Sequence, residues 1–95
     1  MILEVAILYV KSGEEKDFEA AFFEAKKIIV ASKGYIEHQL QKCIETKGKY
    51  ILLVKWETQE DHTEGFRKSK PYEKWKKLLH HFYDPFPLVE HYGEI

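Results

Sequence analysis

Two histidines are the side chains of this sequence best suited to accepting a proton. His62 precedes Phe66 by four residues, so the two share a face if their segment is helical. His38 is two residues from both Ile36 and Leu40, so the three would share one face of a strand. An imidazole beside an apolar pocket can take the proton of a phenol and leave an electron-rich anion. His62 and His38 are therefore candidate catalytic residues, and at each position the alternative is a histidine held in structural hydrogen bonds.

Aromatic residues are abundant for so short a chain. They make up 15% of the 95 residues, and a domain of this size has only a thin core in which to bury them. The rings that matter most are Trp56, Tyr72, Trp75, Phe82 and Tyr83. They either fill the core or leave between them a flat slot that a polycyclic ligand could enter.

Other reactive groups are sparse. Cys43 is the only cysteine, so no internal disulfide can form, and no base stands at a recognisable spacing to activate its thiol. His80 and His81 are adjacent and would point about 100° apart on a helix, which does not suit a shared metal ion. The sequence also lacks a phosphate-binding loop and a dinucleotide-binding fingerprint. It therefore predicts no metal and no other cofactor.

Charge and hydropathy narrow the choice of partners. Fifteen basic and sixteen acidic residues give a formal net charge of −1, which argues against nucleic acid or an anionic membrane as the main partner. The apolar stretch from Met1 to Val10 contains Glu4, has no basic leader and is too short to span a bilayer. Together with the single cysteine, these features favour a cytoplasmic protein.

Runs of β-branched and long apolar residues predict four strands. They are expected at residues 2–10, 35–44, 50–56 and 88–92. The second and third are joined by a hairpin turn in which Gly48 can adopt a positive φ. With a helical region after the first strand and another after the third, the order is β-α-β-β-α-β. This is the ferredoxin-like arrangement of an α+β domain, and it accounts for residues 1–95 as a single domain.

Two helical regions carry apolar stripes. The first is predicted to begin at a capping box formed by Ser12 and Glu15. Its stripe consists of Phe18, Phe22, Ala25 and Ile29. The second region is predicted to be broken into a short helix at residues 61–66 and a longer one from about Lys70, with Pro71 in its first turn. Its stripe consists of Tyr72, Trp75, Leu79 and Phe82.

Two helical regions can cover only one face of a four-stranded sheet. The first and third strands are almost continuously apolar, so both of their faces need cover. The simplest cover for the second face is an identical sheet related by a two-fold axis. We therefore predict a homodimer in which two sheets form a dimeric α+β barrel, and the alternative is a monomer with some exposed aliphatic side chains.

Several stretches of the chain resemble the antibiotic biosynthesis monooxygenase domains. They are Leu53-Val54-Lys55-Trp56-Glu57-Thr58, Asp61-His62, Gly65-Phe66-Arg67-Lys68-Ser69, Tyr72, Trp75, the ending Pro87-Leu88-Val89-Glu90-His91-Tyr92, and Gly34 followed by a strand that carries His38. The resemblance spans nearly the whole chain and agrees with the strand order. It implies a pocket between the sheet and its own helices. Near that pocket it would place His38, His62, Phe66, Tyr72, Trp75 and Leu79, and Trp56 is the further ring expected there.

The resemblance also implies an activity. It suggests an oxidoreductase, a small cofactor-independent monooxygenase acting on an activated aromatic such as a quinol or an anthrone. Two alternatives stay open: a non-catalytic barrel that binds a small aromatic molecule, and a haem-binding or haem-degrading protein. Haem-degrading members use an asparagine on strand one, a tryptophan on the broken helix and a later histidine. In this chain strand one has no asparagine, and the other two positions correspond to Phe66 and to about Lys76.

Overall fold

In the computed structural model, which describes the whole chain from Met1 to Ile95, four strands form one antiparallel sheet. The strands are β1 (Ile2–Tyr9), β2 (Tyr35–Lys42), β3 (Lys49–Trp56) and β4 (Val89–Gly93). Each agrees with its predicted range to within two residues. Their order across the sheet is β2-β3-β1-β4, and the sheet is open, with β2 and β4 at its edges. The ferredoxin-like α+β prediction is confirmed.

Helix α1 (Glu15–Val30) lies against the sheet through the predicted stripe. Its four buried residues are Phe18, Phe22, Ala25 and Ile29. The predicted capping box is wrong, because the helix begins after Glu14 and no side chain caps it. Gly13, with φ of 86°, turns the chain between Ser12 and the helix, and its N–H donates to the Glu15 carboxylate at 3.1 Å.

The second helical region is broken, as predicted. A short π-helix, Asp61–Phe66, precedes helix α2 (Lys70–Leu79), and a single 3₁₀ turn, His80–Phe82, follows it. The buried residues of α2 and the turn are Trp75, Leu79 and Phe82, and Tyr72 is half-buried. None of the helices combines the length and the apolar composition that crossing a bilayer would require.

The two faces of the sheet differ in cover. The helices lie over the face that carries Ala6, Leu8, Leu52 and Val54, all of them buried. The opposite face carries the alternate residues of the same strands. It includes Leu3, Val5, Ile7, Ile51 and Leu53, each only partly buried. This second face is the one for which the sequence predicts cover by another sheet.

Candidate functional site

Only two polar or charged side chains are buried in this chain, and they contact each other. Glu4 of β1 is 5% exposed and His62 of the π-helix is 4% exposed. Glu4 Oε1 and His62 Nε2 lie 3.4 Å apart. Burying an ionisable group is costly unless it is paired, and buried ionisable pairs are common at functional sites. The pair therefore marks a candidate site.

Strand β1 directs Glu4 toward the helices. Glu4, Ala6 and Leu8 are spaced two residues apart, so their side chains point to the same, buried face of the sheet. The indole N–H of Trp56 donates a hydrogen bond to Glu4 Oε1 at 2.9 Å. The second oxygen, Oε2, makes no hydrogen bond within the protein. Every fully buried side-chain oxygen or nitrogen in the chain does have a partner, so Oε2 is not fully buried. Oε2 therefore keeps some accessible surface and is the Glu4 oxygen that no protein group occupies.

His91 of β4 extends the pair into a chain of three titratable side chains. It lies directly opposite Glu4 in the β1–β4 register. Its Nε2 lies 2.8 Å from His62 Nδ1, so each ring nitrogen of His62 has a neighbour. Trp56 stacks on one face of the His62 ring, with ring centroids 5.4 Å apart and planes 20° apart. His62 is thus held at two edges and one face.

A cleft of about 460 Å³ opens onto this chain of side chains. Its polar lining consists of Glu4, His62, Arg67 and His80. Its apolar and aromatic lining includes Ala6, Leu8, Leu52, Phe66, Tyr72, Trp75, Tyr83 and Phe86. Phe66 packs edge-on against both Tyr72 and Trp75, with centroids 5.2 and 5.5 Å apart. Such a cleft has the size and lining of a site for a small aromatic molecule.

Burial determines the charge state of the three groups. It raises the pKa of Glu4 to about 7, although the Trp56 hydrogen bond and the Arg67 charge act in the opposite direction. It lowers the pKa of His62 to about 3, and the charges of Arg67 and His91 act in the same direction. Burial also lowers the pKa of His91, again helped by Arg67. Near neutral pH both imidazoles are therefore neutral, and the Glu4 carboxyl is poised between its two forms.

The structure brings part of the predicted residue set to this cleft. His62, Phe66, Tyr72 and Trp75 line it. Trp56 and Leu79 do not, since both are fully inaccessible core residues behind the lining. Trp56 still acts on the site through its hydrogen bond to Glu4 and its stacking on His62.

His38 does not line this cleft, although the resemblance would place it near the pocket. On the helix-facing side of the sheet, Val54 of β3 separates His38 on β2 from Glu4 on β1. The His38 ring is hydrogen-bonded through Nδ1 to the Tyr35 hydroxyl at 2.5 Å and packs edge-on against Phe22. It lines a separate shallow depression on the surface beside α1.

Sequence reasoning missed the central residue of the site. In the sequence Glu4 stands out only as a charge within an apolar strand, yet it is in phase with Ala6 and Leu8 on the inward face. A carboxylate at an inward position of an otherwise apolar strand is the signal that could have found it. His91 and Arg67 belong only to the stretches that carry the family resemblance. His91 had no separate signal, because its partner depends on the strand register.

The arrangement differs from the one expected of haem-degrading relatives. Strand β1 contributes Glu4, Ala6 and Leu8 to the cleft and no asparagine, and Phe66 lines it where the resemblance would expect tryptophan. His62 has neighbours at both ring nitrogens and offers no free ligand atom. The cleft therefore does not fit haem in the manner that the resemblance would imply.

The amino-acid sequence matches a known protein family and a relative of the same length. Residues 1–78 match the sequence model of the family described as antibiotic biosynthesis monooxygenase. The uncharacterised protein YczJ of Bacillus subtilis (strain 168) is 57% identical over 95 residues, which is the full length of both chains.

Solved structures agree with the family match. A protein of Bordetella bronchiseptica, described as a proposed antibiotic biosynthesis monooxygenase, is 33% identical with a TM-score of 0.94, covering 99% of this chain and 96% of that one. SnoaB of Streptomyces nogalater, described as a cofactor-independent oxygenase, has a TM-score of 0.78, with 99% of this chain and 92% of that chain covered. At 14% identity, SnoaB shares the fold alone.

Proposed function

The chain belongs to the antibiotic biosynthesis monooxygenase family, and we propose that it is a cofactor-independent monooxygenase for an activated aromatic such as a quinol or an anthrone. The observation that carries the proposal is the buried Glu4 carboxyl at the base of an aromatic cleft. Its pKa of about 7 suits a group that must accept and return a proton near neutral pH.

In the proposed reaction, Glu4 Oε2 accepts the acidic proton of the substrate. The resulting anion is rich in electrons and reduces O2 directly, so that a carbon–oxygen bond forms and a peroxide results. Return of the proton and loss of water leave a quinone. One oxygen atom of O2 then stands in the product and the other in water, and the substrate supplies all the electrons.

The remaining cleft residues have supporting roles in this proposal. Arg67 lies at the cleft with no ion-pair partner, so its charge can stabilise the substrate anion. Phe66, Tyr72 and Trp75 would hold the aromatic rings. His62, named from the sequence as the proton acceptor, is already engaged by Glu4 and His91, which favours a role in holding and tuning Glu4.

The test is oxygen uptake with an anthrone and with a hydroquinone, followed by mass analysis of products formed under ¹⁸O₂. We expect Glu4→Gln to lower kcat/KM by roughly a hundredfold or more, because the amide keeps the Trp56 hydrogen bond but cannot accept the proton. Glu24→Gln is the matched control, because Glu24 is an exposed carboxylate on α1, outside the cleft. Wild-type rates for Glu4→Gln would show that Glu4 is not the acceptor.

The same assay separates the alternative functions. If the wild type binds these aromatics but consumes no oxygen, it is a binding protein. A binding protein needs no proton acceptor, and the hydrogen bond that holds His38 to Tyr35 away from the cleft is consistent with that alternative. Addition of haem with no Soret shift would dispose of the haem alternative.

A homodimer completes the proposal. Two copies joined through the uncovered face would bury Val5, Ile7, Ile51 and Leu53, which otherwise remain partly exposed. The cleft lies on the other side of the sheet, so each copy would keep its own site. A cytoplasmic location stays a prediction from composition.

A further inference from the structure

We infer that His62 and His91 form a proton relay that connects the Glu4 carboxyl with solvent at the β4 edge of the sheet. The inference rests on the proposed function, because a relay matters only if Glu4 exchanges protons during a reaction. It goes beyond that function by giving His91, which does not line the cleft, a role in the chemistry.

The first support is continuity. Glu4 Oε1 lies 3.4 Å from His62 Nε2, and His62 Nδ1 lies 2.8 Å from His91 Nε2. The second distance is that of a formed hydrogen bond, while the first is long and would have to shorten when substrate binds. Because His62 is neutral, it can donate at one nitrogen and accept at the other, as a relay requires.

The second support is direction. A substrate that fills the cleft would cover the open oxygen of Glu4 and close the route to solvent on that side. His91 lies on an edge strand, is only partly buried and belongs to no wall of the cleft. The chain from Glu4 through His62 to His91 therefore leads away from bound substrate and toward water.

The third support is the absence of a competing route. Arg67 cannot lose its proton near neutral pH. Burial raises the pKa of the Tyr72 and Tyr83 phenols, so both stay protonated near neutral pH and offer no phenolate to act as the base. His80 also lines the cleft, but its ring contacts are Tyr72, Tyr83 and Phe86, and it has no hydrogen bond to Glu4 or His62.

The proton count closes over one turnover. After Oε2 accepts the substrate proton, a half-turn of the carboxyl group presents the protonated oxygen to His62 Nε2. His62 takes this proton at Nε2 as it releases the one on Nδ1 to His91 Nε2. The reverse sequence returns a proton to Glu4 before water is lost. Both rings finish in their starting tautomers, so neither ring has to flip.

Chemical rescue of His91→Ala tests the relay. We expect its kcat with a saturating anthrone to fall roughly tenfold or more, with KM changed much less. Imidazole added to the buffer should restore kcat, and methylated imidazoles should restore it in an order that follows their pKa values. If His91 only filled space, the order in which the imidazoles restore kcat would follow their size instead. His81→Ala is the control, because His81 is an exposed histidine on the 3₁₀ turn, outside the cleft.

A second measurement does not depend on activity. With ¹⁵N-labelled histidine, the wild type should show a ¹⁵N–¹⁵N coupling across the His62–His91 hydrogen bond, and His91→Ala should lose it. Full kcat in a folded His91→Ala protein, or loss that imidazoles cannot restore, would overturn the relay. If the wild type consumes no oxygen, the proposed reaction fails, and absence of the coupling would then overturn the hydrogen-bonded chain as well.

Discussion

Glu4 of β1 and His91 of β4 face each other across an antiparallel strand pair, and His62 joins them from the helical layer. The sheet thus supplies two members of the chain and the π-helix supplies the third. Trp56, on the strand at the other side of β1, donates to the same carboxyl and stacks on the same imidazole. The charge state of Glu4 therefore depends on elements from both layers.

Trp56→Phe should shift the pH profile of the reaction. The indole N–H lowers the pKa of Glu4, so its loss should raise that pKa further above about 7. Because the ionised carboxyl is the proton acceptor, kcat/KM rises with pH, and its midpoint should move to higher pH in the variant. The other titratable groups around Glu4 are unchanged: Arg67, His62, His91, Tyr72 and Tyr83.

The measurement is oxygen uptake as a function of pH for the wild type and Trp56→Phe. Trp75→Phe is a useful comparison, because Trp75 is a cleft wall with no hydrogen bond to Glu4. It should change KM but leave the midpoint in place. An unshifted midpoint in Trp56→Phe would contradict the assignment of Glu4 as the titrating group.

Glu4→Gln should become more stable relative to the wild type as pH rises. Folding raises the pKa of Glu4 from 4.5 to about 7, so the folded state favours the protonated carboxyl. The stability that Glu4 contributes is therefore present below pH 4.5 and is lost as pH rises through about 7. Glutamine stays neutral and avoids this loss, which amounts to roughly 3 kcal/mol.

Urea unfolding near pH 5 and near pH 8 would measure this difference. The gap between Glu4→Gln and the wild type should grow in favour of the variant at the higher pH. Glu24→Gln, which changes an exposed carboxylate on α1, should show no such trend. A gap that is independent of pH would mean that burial does not perturb Glu4.

Leu53→Glu should dissociate the proposed dimer. Leu53 lies directly opposite Val5 on the uncovered face, so the substitution would place a charge in the middle of the apolar contact. Sedimentation velocity should give a monomer for Leu53→Glu and a dimer for the wild type. Lys27→Glu is the control, because it changes charge on the exposed surface of α1. A monomeric wild type, or a folded Leu53→Glu dimer, would exclude this interface.

His38→Gln should leave the reaction nearly unchanged. Val54 separates His38 from Glu4, and its ring nitrogen is hydrogen-bonded to Tyr35. We expect oxygen uptake within about twofold of the wild type, whereas His62→Gln should lower it by tenfold or more. If oxygen uptake fell equally in the two variants, His38 would have to take part in the reaction.

The elements and their buried faces could be predicted from the sequence. The spacing of Phe18, Phe22, Ala25 and Ile29 determined which face of α1 is buried, because helical periodicity is local. In the same way, the four-residue spacing of His62 and Phe66 put both on one face, and both line the cleft. Residue types and their periods suffice for such features, since they do not depend on distant partners.

The make-up of the site was decided only by the tertiary structure. Whether Glu4 meets His91 depends on strand register, because a slip of one residue would turn either side chain to the other face. The same register put Val54 between Glu4 and His38 and so removed His38 from the cleft. The raised pKa of Glu4 comes from burial by both layers, a property of the assembled fold that no local pattern contains.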